Sequence, residues 1–407
     1  MATTNEPILL NETGQRILTQ INKENALLAL ITESNRETVY GNISQVANIV
    51  RNGYGAETFP IGDQIIIPWK DMDDTNHNTD NTAYQVPLDI VHHGNVELET
   101  GEIVPGMFLM WHYCSPYGVQ FDNFQAFYRA ETALAPGQYY ITFNQSWGSA
   151  VSGESWNFTL TKEVPAGGLL SGLHANNSTS WSIRSWESQS SASPLETVAV
   201  VQGAEGTSLG TMEYMTVGGE GLNGMQQTMY GHNRWKTSAL RQYLNKSGNT
   251  WWTPQEDFDI RPDQYTKKGF MSGFNADFLA AIRPVKVVTA LNTVEGFAEA
   301  SEDTYDTFFL PSLEQVNGLP QLADVEGPHF EYWRRRLGLS GFAAWHPTLY
   351  DGYKIPSINN QTTPHIVRLR SASRGGAFTA WGVYSSGCVA GDSAYYALRF
   401  SPVCVIC

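Results

Sequence analysis

Four cysteines, nine histidines and a few acidic clusters are the residues that could do chemistry in this 407-residue chain. Cys114, Cys388, Cys404 and Cys407 lack the paired spacing of a structural zinc site, and they are too few and too unevenly placed for a disulfide framework. They fit assembly in a reducing cytoplasm. A nucleophilic Cys388 would need a neighbouring base, and no histidine lies between Ser371 and Cys407, so an incidental thiol is the economical reading. The segment Asp71 to Thr82 (DMDDTNHNTDNT) has the carboxylates of a calcium loop but carries Asn76 where a glycine is needed and Thr82 where a bidentate glutamate is needed. His92-His93, Asp257 with Asp259, and Glu302 to Asp306 (EDTYD) form no acid/base or metal pattern and read as surface or hydrogen-bonding residues. The chain is therefore expected to be no enzyme, with no catalytic residue, metal or cofactor.

Charge narrows the partners. A formal net charge of −15 argues against a grip on nucleic-acid phosphates, which needs clustered Lys and Arg. The basic run Arg334-Arg335-Arg336 follows Tyr332-Trp333 in a predicted helix, where a solvated face or an internal ion pair accounts for it. No stretch approaches eighteen consecutive apolar residues, and MATTNEPILL lacks the basic start and apolar run of a secretory signal, so no membrane insertion is expected.

The elements that would position a site change character along the chain. Ile17, Leu18, Ile21, Leu27, Leu28 and Ile31 recur at helical spacing. Asn42 is placed to cap a second helix with Ile43, Val46, Ile49 and Val50 on one face, ended by Gly53. This segment, 1–54, suits attachment or oligomerisation, or packing on its own domain. Short strand patterns follow at Gln64 to Trp69, Val86 to His92 and Met107 to Tyr113, giving a β-rich module over 55–123. A second β-block, 124–193, holds Tyr139 to Asn144 and Trp156 to Lys162 and reads as a small β-sandwich, with the Ser/Asn/Gly-rich stretch Ser171 to Ser193 as its exit. Beyond 194 short helices are predicted at Thr237 to Asn245 and Asn275 to Ile282, a strand at Val285 to Leu291, and a capping box opening a helix at Ser312 to Gln315. Helices ahead of a terminal run of small strands favour an α+β class.

Three segments of this last region carry a family likeness: Tyr230 to Asn245 (YGHNRWKTSALRQYLN), Phe308 to Gln315 (FFLPSLEQ) and Leu369 to Val405. Together they resemble the C-type-lectin-like domains of bacterial and phage proteins, including the variable proteins of diversity-generating retroelements in gut phages and prophages. The resemblance covers about residues 195 to 407 and implies an α+β fold with a C-terminal C-type-lectin-like domain at 194–407, preceded by the β-rich modules and the helical segment. It implies scaffold roles for Leu369-Arg370-Ser371, Trp381, Ser385-Ser386-Gly387 and Arg399-Phe400-Ser401-Pro402. Between them it places the diversified, ligand-binding positions: Ser373, Gly376, Phe378, Thr379, Ala380, Gly382, Tyr384, Cys388, Ala390, Gly391, Asp392, Ser393, Tyr395, Tyr396 and Leu398.

Composition offers a separate check. Adenine-directed mutation of an AAC codon leaves codons ending in C, which excludes Lys, Glu, Gln, Met and Trp. From Ser371 to Cys407 there is no Lys, Glu, Gln or Met, where about six would be expected from the rest of the chain, and the single Trp is Trp381. Tyr384, Tyr395 and Tyr396 suit recognition because a phenol ring gives a large contact area at low entropy cost. Being adjacent on an expected strand, Tyr395 and Tyr396 should face opposite sides. The expected function is a diversified binding protein of a phage tail or other displayed particle, assembled in the cytoplasm, that recognises a host-surface protein or glycan. The alternatives are a constant structural phage protein or a cell-surface assembly protein of the same fold, or one kept in the bacterial cytoplasm. An oxidase of the formylglycine-generating type, which has a related fold, would need a copper-binding cysteine pair, and Cys404 and Cys407 lie in the terminal strand. Trimers are common among receptor-binding appendages, but the N-terminal helix lacks sustained heptads.

Overall fold

The strand Gln64–Lys70 (β1) shows how sequence sets this fold: Ile65, Ile67 and Trp69 point into the core while Gln64, Ile66, Pro68 and Lys70 face out, the period of two expected for a half-buried strand. The computed structural model describes residues 42–71, 82–143, 153–174, 181–186, 194–199, 201–212, 230–266, 268–318, 321–336 and 354–407, with Gln20, Lys23 and Gln227 besides. The expected helix around Ile17 to Ile31 and nearly all of the acidic loop after Asp71 lie outside the described residues.

Helix α1 (Ile43–Arg51) begins where Asn42 accepts a hydrogen bond from the Gln45 amide, and it buries Val46, Ala47, Ile49 and Val50. The short α2 (Gly55–Thr58) leads into β1, which pairs antiparallel with β2 (Ala83–Glu97), itself antiparallel to β3 (Ile103–Trp111). β4 (Val119–Gln120) leaves this sheet for another.

The inserted module comprises β5 (Tyr128–Arg129), β6 (Gly137–Phe143), β7 (Ser155–Leu160), β8 (Leu169–His174), β9 (Trp181–Trp186), β10 (Pro194–Ala199), β11 (Val201–Gln202) and β12 (Thr207–Met212). They form two four-stranded sheets, β10-β9-β8-β5 and β11-β7-β6-β12. Ile141, Trp156, Phe158, Leu160 and Leu170 belong to a core of the module's own. Because β12 pairs in parallel with β6, the module's strands continue to Met212. The boundary at 193/194, drawn from the Ser/Asn/Gly-rich stretch Ser171 to Ser193, therefore falls inside the paired strands, since that stretch contains most of β8 and all of β9.

After the module come α3 (Ala239–Leu244), α4 (Ala276–Ala281), β13 (Val285–Ala290), β14 (Ser301–Asp306), β15 (Phe308–Phe309), α5 (Leu313–Asn317) and α6 (Glu331–Arg336). Ser238, Asn275 and Ser312 cap their helices through side-chain oxygens, and Ser312 with Gln315 forms the expected capping box. In α6, Arg335 pairs with Glu331 and Arg336 lies over Tyr332 and Trp333, so the basic run is held within its own helix. The chain then forms β16 (Pro356–Ser357), β17 (Asn360–Pro364), β18 (Val367–Ala372), β19 (Thr379–Val383), β20 (Val389–Ser393), β21 (Ala397–Phe400) and β22 (Val403–Ile406).

Two five-stranded sheets organise the body, β1-β2-β3-β22-β15 and β20-β19-β18-β21-β4. Early strands complete late sheets: β22 pairs with β3, and β4 with β21. One hydrophobic core runs from Val46 to Cys407 and is dominated by Trp69, Trp111, Phe270, Phe274, Phe308 and Phe400. The expected division at 54/55 lies within this core, which holds Val46 to Val50 and Phe59 together, while between Phe121 and Trp235 no residue belongs to it. The free edge of β3 is filled by a strand nearly 300 residues later. The architecture is α+β, mostly sheet with few helices.

Cys114, Cys404 and Cys407 are buried and free, and burial pushes their thiols up, that of Cys114 to about 12. Among the described residues no helix is long and apolar enough to cross a membrane.

The expected scaffold residues separate into two groups. Arg370, Ser371, Phe400 and Ser401 are buried, whereas Trp381 is half-buried at the margin of the main core. Ser385 and Ser386 are exposed at the tip of the β19–β20 hairpin, where Gly387 takes a φ of +88° that favours glycine. The fully buried Trp235, which donates to Asp306 Oδ2 at 2.9 Å, is the stronger anchor. In urea unfolding, Trp235→Ala is expected to cost about 3–5 kcal/mol and Trp381→Ala only about 2 kcal/mol. Equal losses would overturn this ranking.

Candidate ligand-binding surface

Two arginines on β18 fix the backbone from which the surface is built. Arg368 is fully buried, and its Nη1 donates to the carbonyls of Ala380 (2.9 Å) and Asp392 (2.9 Å) while Nη2 donates to those of Ser393 (2.8 Å) and Tyr396. It thereby ties β19, β20 and the turn after β20 to one point. Arg370, 1% exposed, donates to Leu310 O (2.8 Å), Gln315 Oε1 (2.7 Å), Val288 O and Glu326 O. Burial lowers both guanidinium pKa values to about 10, opposed by Asp392 and Tyr384 for the first and chiefly by Glu326 for the second. Both remain charged at neutral pH.

The three segments of the family likeness meet around β18 and the loop that follows it. Gln315, from the capping box, receives Arg370, and Ser371 Oγ accepts from the Leu313 amide (2.9 Å) and donates to Glu326 Oε2 (2.6 Å). Glu326 is itself buried, and desolvation raises its pKa against the pull of Arg370. From the first segment, Asn233 Nδ2 donates to the carbonyls of Gly376 (2.7 Å) and Thr379 (2.8 Å), and its amide donates to Ala377 O (3.1 Å). Asn292 donates to Asn233 Oδ1 at 3.0 Å, which orients that amide. The loop 373–379 is thus pinned by main-chain contacts that do not depend on its own side chains.

Of the expected binding positions, all but Ala380 and Gly382 are at least partly exposed: Gly391 is fully so, and Ser373, Gly376, Phe378, Thr379, Tyr384, Cys388, Ala390, Asp392, Ser393, Tyr395, Tyr396 and Leu398 are intermediate. Ala380 and Gly382 are corrections. They face the interior, Ala380 with its carbonyl on Arg368 and Gly382 against the Val367 backbone, so substitution at either would meet packed atoms. Tyr395 and Tyr396 are a second correction. They sit in the turn between β20 and β21, and their ring centroids lie 4.3 Å apart instead of on opposite sides of a strand.

The aromatic part of the surface is continuous. Tyr230 lies 5.0 Å from Phe378 and 6.3 Å from Tyr395, and Tyr395 meets Phe124 at 6.4 Å. Tyr230 was not among the expected binding positions, and it enters because the Tyr395 amide donates to its carbonyl (2.9 Å). The next residue, Gly231, has a φ of +78°, and a Cβ there would lie 2.8 Å from Asp122 O. The YG pair that opens the first segment was the available signal. At the other end, Tyr384 donates to Asp392 Oδ2 (3.1 Å), and burial with the Asp392 charge pushes its phenol up to about 12. Ser386 Oγ and Cys388 Sγ are 3.1 Å apart in the hairpin turn. Among the described residues no group of three or more His, Cys, Asp or Glu is arranged to hold a metal ion.

Residues 205–406 match the model of a family described as Domain of unknown function (DUF6273), to which this part of the chain is similar. The matched segment runs from β12 to β22, while β1–β4, which complete both sheets, lie before it. No curated protein and no solved structure matches the chain.

Below the aromatic surface His232 Nε2 faces the Glu295 carboxylate at 3.1 Å, with Gln227 donating to the same carboxylate. Burial lowers the His232 pKa, but Glu295 more than offsets this and the net shift is upward; for Glu295 burial raises the pKa and His232 brings it net downward. The stabilisation from His232 is therefore complete below pH 6.5 and lost as pH rises through its elevated folded value. That from Glu295 is complete above 4.5 and lost as pH falls through its depressed one. Against His232→Gln, the wild-type stability advantage in urea unfolding should shrink between pH 6.5 and 9. A constant difference over that range would show that the pair does not titrate as described.

Proposed function

We propose that this chain is a diversified ligand-binding protein with a C-type-lectin-like C-terminal domain, of the kind that diversity-generating retroelements vary, displayed on a phage tail or comparable particle. Its partner would be a host-surface molecule. The observation that carries this reading is the separation of labour around β18. Arg368 and Asn233 hold the backbone of 376–396 through main-chain carbonyls, Arg370 ties β18 to residues 310, 315 and 326, and most side chains on the held segment are half-buried rather than enclosed.

A backbone held this way tolerates sequence change because main-chain acceptors are the same whatever the residue type. The absence of Lys, Glu, Gln and Met from Ser371 to Cys407 supports the same reading, as does the meeting of the three likeness segments. No covalent chemistry is proposed: Cys388 has Ser386 as its polar neighbour, and the remaining thiols are buried.

Two experiments bear on this. Sequencing the flanking locus should find a reverse transcriptase and a near-identical template repeat differing at adenines, and a locus with neither removes the diversification claim. Tyr384→Ser and Tyr396→Ser should each change stability by no more than about 1 kcal/mol, whereas Arg370→Leu, which strips four acceptors at once, should cost about 3–5 kcal/mol. Comparable losses in all three, read from urea midpoints, would mean that the surface residues are structural, as a constant assembly protein requires.

A further inference from the structure

We infer that the aromatic surface around Tyr395 takes a positively charged segment of a partner protein, with lysine or arginine side chains set against its ring faces. This rests on the reading of residues 373–398 as a binding surface and names the chemistry of its partner.

The first observation is where the cations go. Between residues 366 and 407 the basic side chains are Arg368, Arg370, Arg374 and Arg399, and each is turned to main-chain carbonyls: Arg374 Nη1 to Leu291 O (3.0 Å) and Arg399 Nη1 to Ser115 O (2.7 Å), besides the two already described. Arg368 and Arg370 are buried, and Arg374 and Arg399, half-buried, each commit Nη1 to a main-chain carbonyl. The acidic side chain in this stretch, Asp392, is instead at the surface, half-buried beside Tyr384.

The second is a neighbouring acidic edge. Phe258 and Tyr395 flank the same small cluster of Phe124, Ala126, Leu169 and Ile260. Beside Phe258, Asp257 is exposed and Glu256 is half-exposed. The surface thus joins the rings of Tyr230, Phe378, Tyr395 and Tyr396 to carboxylates from two separate segments. Ring faces carry negative potential and attract ammonium and guanidinium groups. Two separated anionic points are engaged together by a chain bearing several cations, and only singly by a small one.

The third is that the chain already uses this chemistry itself. The Arg129 guanidinium lies over the Phe258 ring, 5.7 Å from its centroid, and donates to the Asp257 carbonyl. An incoming arginine would repeat that arrangement one ring further on.

The test is calorimetric titration of the full chain with a synthetic peptide of alternating glycine and arginine. Its citrulline counterpart, of the same shape but uncharged, and ethylguanidinium serve as comparison probes. The arginine peptide should bind at least tenfold more tightly than either. Tyr396→Ala, or Asp257→Asn with Asp392→Asn, should weaken it fivefold or more, while Glu99→Gln with Glu102→Gln, on the β2–β3 hairpin, should leave it unchanged. Equal binding of the citrulline peptide, equal binding of ethylguanidinium, no binding at all, or equal weakening by the hairpin pair would each overturn the proposal. Should Tyr396→Ala abolish binding of a neutral or acidic partner instead, the surface would stand as a binding site and only its preference for cations would fall.

Discussion

The arrangement of Arg368 and Arg370 constrains everything above it. Burying a guanidinium costs several kcal/mol, and hydrogen bonds to charged groups return about 1.5–3 kcal/mol each, so two arginines with four acceptors apiece come close to balance. Their contribution is therefore less to net stability than to geometry. A methionine of similar volume could fill the space, but it would remove these donors, at about 1–3 kcal/mol for each buried carbonyl that has no other partner. Arg368 bonds to β19, β20 and the following turn at once, and Arg370 to α5 and Glu326 at once, so each fixes the relative placement of the parts it joins.

This division explains which parts of the molecule can be read from sequence. Helix caps at Asn42, Ser238, Asn275 and Ser312, and the alternation in Gln64–Lys70, are local: the physical cause lies within four residues of its effect. The capping box of Ser312 and Gln315 is readable for the same reason, yet the second task of Gln315, receiving Arg370, is not. Arg368 gives no signal at all. A charged residue in an alternating strand reads as solvent-facing, and its burial follows only from acceptors 12 to 28 residues away.

The binding positions divide in the same way. The stretch between the likeness motifs has mostly half-buried side chains, because a strand–turn–strand segment on a fixed frame has few fully interior places. Ala380 and Gly382 are interior because the frame itself occupies the space, and Tyr395 and Tyr396 lie side by side because a turn replaces the expected strand. Trp381, given a scaffold role by the likeness, sits half-buried at the core's margin. The pairing of β3 with β22, and of β4 with β21, depends on which free edges remain when the rest has folded, information that no window of sequence contains.

That last pairing sets an order of events during synthesis. The module from β5 to β12 closes on itself within 85 residues and has its own core, so it can form as soon as it leaves the ribosome. The β1–β3 strands emerge earlier but must wait for Val403–Ile406, and until then the edge of β3, with Met107, Leu109 and Trp111 beside it, stays unpaired. The nascent chain thus carries its most apolar edge open through nearly 300 further residues of elongation. Its yield should depend on whatever shields that edge, a chaperone or simply a low concentration of neighbours, far more than on the stability of the finished sheet.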